Sequence, residues 1–520
     1  MASEQRLHPA SMLFAMGRSL KTFALPGLLL FFTAGRTSGG PGGQFGYMPG
    51  NWERWMMLML IPSALVALAR YLSFRIRYEG TELVVRSGLV FRNERHIPYA
   101  RIQNLDGVEN VFHRLLGVVE VRVETGAGTE PEARISVLPV SAFEEMRRRV
   151  FEGRGDAAPH VGGAADSVAA TPPAPVAPLL QLSMRELLLY GLLESRGLVV
   201  IGAAYGLLWE LGLLDRLWGQ LFDEGWIGKG LVRSLVQSAF AGAGMPWRQL
   251  ALAAAGIAAL LLVARLASMA WAAIRLYGFR VLRDGDDLRI EFGLFTRVTA
   301  TVPIRRIQTI TTYESLLQRL TGRMSVRVET AGGRDAGTGA GSRERQWLAP
   351  IIRTTDCQDL IRRILPELDL PGLAWQPPHP RAFRRAVKPA LAVACVPALA
   401  LAWPLGWWAL AVLALMAAWS AVAAWKQVAH LRWAMTDDVV VFGSGWLWRK
   451  TTAARVAKIQ AVTRSESPFD RRSAMASVHV DTAGASDGSH RVAIPYLARD
   501  TADAVHRRLA EGAASTAFRW

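Results

Sequence analysis

The sequence predicts an α+β membrane protein in which three transmembrane helical hairpins are each followed by a small antiparallel β-domain with a C-terminal helix. Three observations predict it. Long apolar runs occur in pairs, each pair precedes a soluble stretch whose residues recur in register, and Lys and Arg gather outside the pairs more than inside them. The chain has 520 residues, 51% apolar and 20% charged, with 60 Lys plus Arg against 43 Asp plus Glu and a net charge of +17. That apolar content excludes disorder over most of the chain. Its two cysteines, Cys357 and Cys395, exclude a disulfide-stapled secreted domain.

The first pair occupies residues 1–74, with runs at Thr22–Gly35 and Met56–Phe74, the second run broken by Arg70 near its end. Arg6, Arg18 and Lys21 ahead of Phe23–Ala34 also fit a signal peptide, whose cleavage would leave the rest of the topology unchanged. The second pair lies within 182–274, where Gly197–Leu214 carries Glu210 and Leu250–Ile274 carries Arg265. Charges inside spans are costly, so these two either snorkel or pair with each other. The third pair lies within 386–427 and is joined at Pro404; Leu405–Trp425 has 21 residues without a charge. As helix that run is about 31 Å long, matching a hydrocarbon core of about 30 Å. Six such segments buried in a soluble protein would need an improbably large dry core. Cations at the N-terminus (Arg6, Arg18, Lys21), after the second and fourth runs (Arg75, Arg77, Arg275, Arg280) and before the fifth (Arg381, Arg384, Arg385, Lys388) place both termini and the long inter-pair segments in the cytoplasm.

The soluble stretches at 75–151, 275–370 and 428–511 are copies of one unit. The first carries Gly88–Arg92 (GLVFR), Arg101-Ile102-Gln103, Glu109, Arg114 and a VRVET strand ending at Thr125. The second carries Gly293–Arg297, Arg306-Ile307-Gln308, Glu314, Arg319 and Thr330 at the same offsets. The third carries Gly445–Arg449, Lys458-Ile459-Gln460, Glu466, Arg471 and Thr482, again in register. Short β-rich runs at Leu83–Val85, Leu288–Ile290 and Val439–Val441, and period-two alternation through VRVET, predict strands. Helical patterns at Ala142–Phe151, Cys357–Leu365 and Asp500–Leu509 close each unit. An Ala/Pro/Gly-rich linker spans 152–178 and a Pro-rich one spans 371–385.

A hairpin followed by G-hydrophobic-x-x-R, P-x-x-R-I-Q and V-x-V-E-T resembles the bacterial pleckstrin-homology (PH)-like domain membrane proteins, as do Arg6-Leu7-His8-Pro9 and Leu182-Ser183-x-x-Glu186. The resemblance covers nearly the whole chain. It implies a PH-like antiparallel β-barrel or sandwich with a C-terminal helix in each unit, and a place in the bacterial inner membrane as a multi-pass protein. The third unit departs from the pattern, with Arg455 for the Pro of the other two and Lys458 for Arg.

No catalytic constellation is legible: there is no HExxH, CxxC or GxSxG, and the Gly-rich Ala331–Gly341 lacks the GK[ST] of a phosphate loop. No metal site and no cofactor are expected. The repeated cations Arg101, Arg306 and Lys458, with Arg114, Arg319 and Arg471, are candidate sites for an anionic headgroup, since guanidinium matches phosphate geometry. Their other reading is structural, as ion pairs with Glu109, Glu314 and Glu466 or as loop contacts beside Gln103, Gln308 and Gln460. The expected function is non-catalytic: binding of lipid headgroups or protein partners as a scaffold in envelope maintenance or stress resistance, with the bilayer and a protein partner or homo-oligomer as partners and no nucleic acid. A transporter or lipid-translocating component, and an accessory subunit of a membrane enzyme complex, are the alternatives.

Overall fold

The computed structural model describes residues 71–88, 92–125, 133–152, 178–194, 247–330, 347–405, 408–482 and 492–515, with short pieces within 4–14, 64–69 and 201–206. Most of the first apolar pair and most of Gly197–Leu214, including Glu210, therefore lie outside the described residues.

Unit 1 comprises β1 (Glu4–Arg6), β2 (Arg75–Tyr78), β3 (Glu82–Ser87), β4 (Asn93–Pro98), β5 (Ile102–Asn110), the short helix α1 (Val111–Leu115), β6 (Val118–Thr125), β7 (Ala133–Pro139) and α2 (Val140–Glu152). Unit 2 repeats the order: β8 (Leu180–Gln181), then helices α3 (Met184–Leu193) and α4 (Trp247–Arg275), then β9 (Arg280–Asp284), β10 (Asp287–Phe292), β11 (Thr296–Pro303), β12 (Ile307–Glu314), α5 (Leu316–Leu320), β13 (Arg323–Thr330), β14 (Trp347–Arg353) and α6 (Thr354–Ile364). Unit 3 has helices α7 (Ala382–Leu405) and α8 (Trp408–Ala429), β15 (Arg432–Met435), β16 (Val439–Ser444), β17 (Arg449–Arg455), β18 (Ile459–Ser465), α9 (Pro468–Arg472), β19 (Met475–Thr482), β20 (Val492–Ala498) and α10 (Arg499–Ser515). The predicted strands and closing helices are present in all three units.

The repeat signature explains the local geometry. Ile102, Ile307 and Ile459 are buried and stand opposite Thr125, Thr330 and Thr482 in the β-ladder. A register shift follows each Ile, so Gln103, Gln308 and Gln460 sit at a β-bulge, the device that bends a strand and increases its twist. Gln308 Nε2 donates to the Arg306 carbonyl at 3.4 Å, tying the bulge to the preceding 3-10 turn. Alternation on the paired strands buries one face against the closing helix, with Phe143 and Met146 in unit 1, Leu360 and Ile361 in unit 2, and Val505 and Leu509 in unit 3.

Sequence reading expects self-contained β-domains, and here the structure differs. The sheets cross unit boundaries, in the strand orders β1-β2-β3-β4, β7-β6-β5-β11-β10-β9-β8, β14-β13-β12-β17-β16-β15 and β18-β19-β20. The second half of unit 1 pairs with the first half of unit 2, and the second half of unit 2 with the first half of unit 3. Backbone donors at a sheet edge demand partners, and the next copy supplies them. No local pattern announces which edge a strand will choose.

Two helices, Ala254–Arg275 within α4 and Leu410–Ala429 within α8, are long and apolar enough to cross a membrane. They carry exposed Leu260, Leu261, Leu262, Leu410, Leu415 and Trp419. α7 and α8 are two helices where the third pair is predicted, but among the described residues only α8 of the two is long and apolar enough to cross a membrane, and α7 runs through Pro404 and ends at Leu405. α7 also begins at Ala382, inside the predicted 371–385 linker, and Gln376 in that linker bridges Trp433 on β15. α3 crosses α4 at Gly191, where a Cβ would sit 2.5 Å from the Met269 Cα and 2.7 Å from the Ser268 carbonyl oxygen.

The strands that flank each apolar stretch of the sequence are hydrogen-bonded to one another: β1 to β2, β8 to β9, and Gln376 to Trp433 in unit 3. The chain therefore enters and leaves each stretch at one point. This follows from pairing alone.

Candidate functional site

The joints between units gather more of the repeat signature than any other part of the structure. Between units 1 and 2, β5 runs antiparallel to β11 with Glu109 opposite Arg297. Arg114, on α1, donates from Nη1 to the Leu294 carbonyl at 3.0 Å. Between units 2 and 3, β12 runs against β17 with Glu314 opposite Arg449, 4.0 Å apart, and Arg319 Nη1 donates to the Trp446 carbonyl at 2.8 Å. The two joints are one device used twice. Glu and Arg of one unit receive the G-x-x-x-R turn of the next.

Arg114 and Arg319 are each committed to a carbonyl in the following unit, so they link modules. Glu109 is not paired with Arg101: burial pushes its carboxyl up, against the opposing pull of Arg297 and Arg114. In unit 3 the receiving strand β18 pairs only with β19 among the described strands. There Glu466 is gripped by Arg499 (3.0 and 3.1 Å) and by Arg464, hydrogen bonding that holds its carboxyl below the usual range. Arg471 is exposed.

Further charges weld the first joint. Arg289 on β10 reaches Glu144 on α2 at 3.3 Å and Arg147 on α2 reaches Asp284 at 3.6 Å. Glu291, almost fully buried, is held by Arg280 (2.6 Å), Arg289 (2.6 Å) and Arg297 (2.8 Å). Burial pushes its carboxyl up, but hydrogen bonds from Arg297 and Arg280 and the nearby Arg289 charge outweigh it, leaving the group below its ordinary value. A buried carboxylate needs that many partners to stay charged. Nothing in the sequence marked Glu291, because its cations are distributed over three strands.

Beside the second joint Glu329 is buried and accepts a hydrogen bond from Thr309 Oγ1 at 3.0 Å. Burial pushes its carboxyl up to about 7, against the Thr309 hydrogen bond and the Lys450 and Arg327 charges. Arg327 stacks over Trp347 at 3.9 Å and over Tyr313 at 5.1 Å.

The predicted headgroup cations fall elsewhere. Arg101, Arg306 and Lys458 each end a 3-10 turn leading into β5, β12 and β18. Arg101 is exposed. Antiparallel pairing of β12 with β17 brings Lys458 near Arg455, Arg306 and Arg305; burial first, and then those three charges, pull the Lys458 ammonium below its ordinary range. Arg455 also pairs with Glu367 at 2.9 Å. The departures of unit 3 thus build a basic cluster that Pro at position 455 would lack.

This cluster and the Gly turns occupy opposite ends of the strands. Gly293 N–H donates to the Tyr277 carbonyl at 2.8 Å and Leu294 N–H to the Ile274 carbonyl at 3.0 Å, so the turn sits on the end of α4. In unit 3 Trp446 lies 6.4 Å from Trp419 of α8. The short helices share this end, clamped to the incoming helices by Phe14 stacked on His113 (4.0 Å), by Glu186 with Arg323 beside α5 (3.1 Å) and by Arg385 with Asp470 (2.8 Å). Exposed apolar side chains crowd here: Leu115, Phe295, Leu320, Trp448 and Phe469. Arg265, inside α4, donates to the carbonyls of Leu192 (3.0 Å) and Glu194 (3.2 Å), capping α3. Among the described residues no group of three or more His, Cys, Asp or Glu is placed to hold a metal ion.

Antiparallel modules closed by one helix, repeated three times and interleaved with apolar helices, define a tandem β-repeat protein of PH-like build. The chain belongs to the bacterial PH domain family, whose model matches residues 25–154, 237–367 and 387–513, more than half of its length. It is similar to the UPF0699 transmembrane protein YdbT of Bacillus subtilis (strain 168), with 24% identity over 447 residues, which cover 83% of each chain. No solved structure matches it.

Proposed function

We propose that three helical hairpins span the bacterial inner membrane with both termini cytoplasmic, and hold the fused PH-like array against the inner leaflet as a non-catalytic scaffold in envelope maintenance. One observation carries the reading: the end of each unit that meets the apolar helices is also the end that exposes Leu115, Phe295, Leu320, Trp448 and Phe469. Exposed apolar side chains beside a span belong in the headgroup boundary, where aromatic residues are favoured. Trp271 with Arg275 and Trp425 with Lys426 at the ends of α4 and α8 fit the same plane. A YdbT-like relative that is named a transmembrane protein supports it.

The two sets of candidate cations then serve different ends. β12 has eight residues, so the Arg305, Arg306, Arg455 and Lys458 cluster stands about 26 Å from the bilayer end. Surface potential decays over about 8 Å at physiological salt. The distal cluster is thus suited to an anionic partner in the cytoplasm, while the knuckles and flanking cations meet lipid. Transport would need polar groups converging between hairpins; Arg265, in the interior of α4, is instead committed to α3 carbonyls.

The knuckles give the test. The full chain carrying Leu320→Cys and Cys395→Ser, with Cys357 left buried and an environment-sensitive dye on the new cysteine, is reconstituted in vesicles containing brominated lipid. A blue-shifted, quenched emission is expected. Water-like emission without quenching contradicts contact with the bilayer.

A further inference from the structure

The joint between units has two halves, and among the described residues unit 1 exposes one of them and unit 3 the other. β4 pairs only with β3, and β18 only with β19, among the described strands. Asn93, Glu94, Arg95 and His96 of β4 are exposed, as are Gln460, Ala461, Thr463 and Ser465 of β18, whereas residues 307–312 of β12, the equivalent strand inside the second joint, are buried throughout. Unit 1 therefore offers the turn half, with Gly88 and Arg92. Unit 3 offers the receiving half, with Glu466 and Arg471.

We propose that a second copy of this chain docks head to tail, its β4 pairing antiparallel with β18 to continue the array. The two internal joints dictate the register. Glu109 faces Arg297 and Glu314 faces Arg449, so Glu466 faces Arg92 of the next copy. Counting along both strands then sets Ser465 opposite Asn93 and Arg464 opposite Glu94. Both charged positions meet the opposite sign, which favours cross-strand pairing where like charges would oppose it. At present Glu466 is held by Arg499 and Arg464, and Glu94 by Arg86 at 2.8 Å. Docking exchanges the exposed Arg499 and Arg86 for Arg92 and Arg464 across the new joint.

Charged edge strands commonly serve to prevent association. Here the charges are complementary in the one register the fold already uses twice, which singles out a specific partner. Geometry adds a second argument. In units 2 and 3 the described apolar helices α4 and α8 meet the Gly turns at the same end of the joint, so a joint of the same kind keeps the helices of the next copy on the same side. An interface whose two halves differ generates a ring if the rotation closes and a filament if it does not.

Disulfide trapping of the full chain in native membranes tests the register. With Cys395 replaced by Ser and Cys357 left buried, chains carrying both Ser465→Cys and Asn93→Cys are mildly oxidised. A reducible ladder of multimers is expected. The pair Ala461→Cys with Asn93→Cys, four residues out of register and thus about 13 Å apart, is expected to stay unlinked. Glu466→Arg in the trapping chain should lower the linked fraction about tenfold, the effect of like charges opposite each other, and Arg92→Glu added to that chain should restore it. Monomers throughout, equal linkage of both cysteine pairs, or no rescue by the charge swap would each overturn the proposal.

Discussion

Gly293→Val is expected to unfold unit 2. Gly293 has φ of +111°, and a Cβ there would lie 1.9 Å from the Thr296 carbonyl oxygen, a backbone atom that cannot move aside without opening the β10–β11 turn. The same turn bonds to Tyr277 at the end of α4 and presents Leu294 to Arg114. Strain, lost hydrogen bonds and a broken joint act together, so a loss of about 4 kcal/mol or more is expected, in the range reserved for backbone conflicts and broken buried networks. Domain stabilities of about 5–15 kcal/mol leave little after that. Gly278→Ala supplies the contrast: its φ is +64°, but a Cβ there meets nothing within 4 Å, so only the conformational penalty of about 1 kcal/mol applies. Thermal unfolding in detergent with limited proteolysis reads both. Equal melting of Gly293→Val and the parent protein would show that the turn is not built as described.

Glu329→Gln is expected to make stability less dependent on pH. The Glu329 carboxyl titrates near 7 when folded, against an ordinary value near 4.5. Between those values the folded chain holds a proton that the unfolded chain releases. The contribution is thus fully present below about pH 4.5 and is lost as pH rises through 7, a swing of about 3 kcal/mol. Thr309, Lys450 and Arg327 face the group and are retained in the variant, and glutamine still accepts the Thr309 hydrogen bond. The variant should match the parent at pH 4.5 and exceed it at pH 8. A difference in melting temperature that is the same at both values contradicts this.

Much of the fold was legible, for identifiable reasons. Triplication fixed the units, since Gly, Ile, Gln and Thr recur at identical offsets and each meets a local demand of the backbone or core. Gly supplies a positive φ, Ile a buried contact, Gln a bulge and Thr a ladder position. The joints were not legible. Glu109 and Arg297 lie far apart in sequence, and only edge-to-edge pairing brings them together. Reading Arg114 and Arg319 as headgroup candidates followed from their charge, whereas the carbonyl each meets in the next module is set by strand pairing that no local pattern shows. Arg265, read as snorkelling or pairing with Glu210, donates to carbonyls at the end of α3, while Glu210 lies outside the described residues. The basic cluster was half visible, in Arg306 and Lys458, while Arg305 and Arg455 joined it through the register of β12 with β17.

Thiol labelling tests most directly whether all three units lie on the cytoplasmic face. In a chain lacking reactive Cys395, single cysteines replace Thr81, Asp286 or Asp437, exposed residues in the β2–β3, β9–β10 and β15–β16 connections. A membrane-impermeant maleimide should label all three in inverted vesicles and none in intact spheroplasts. Labelling of any one of them from the outside would contradict the account.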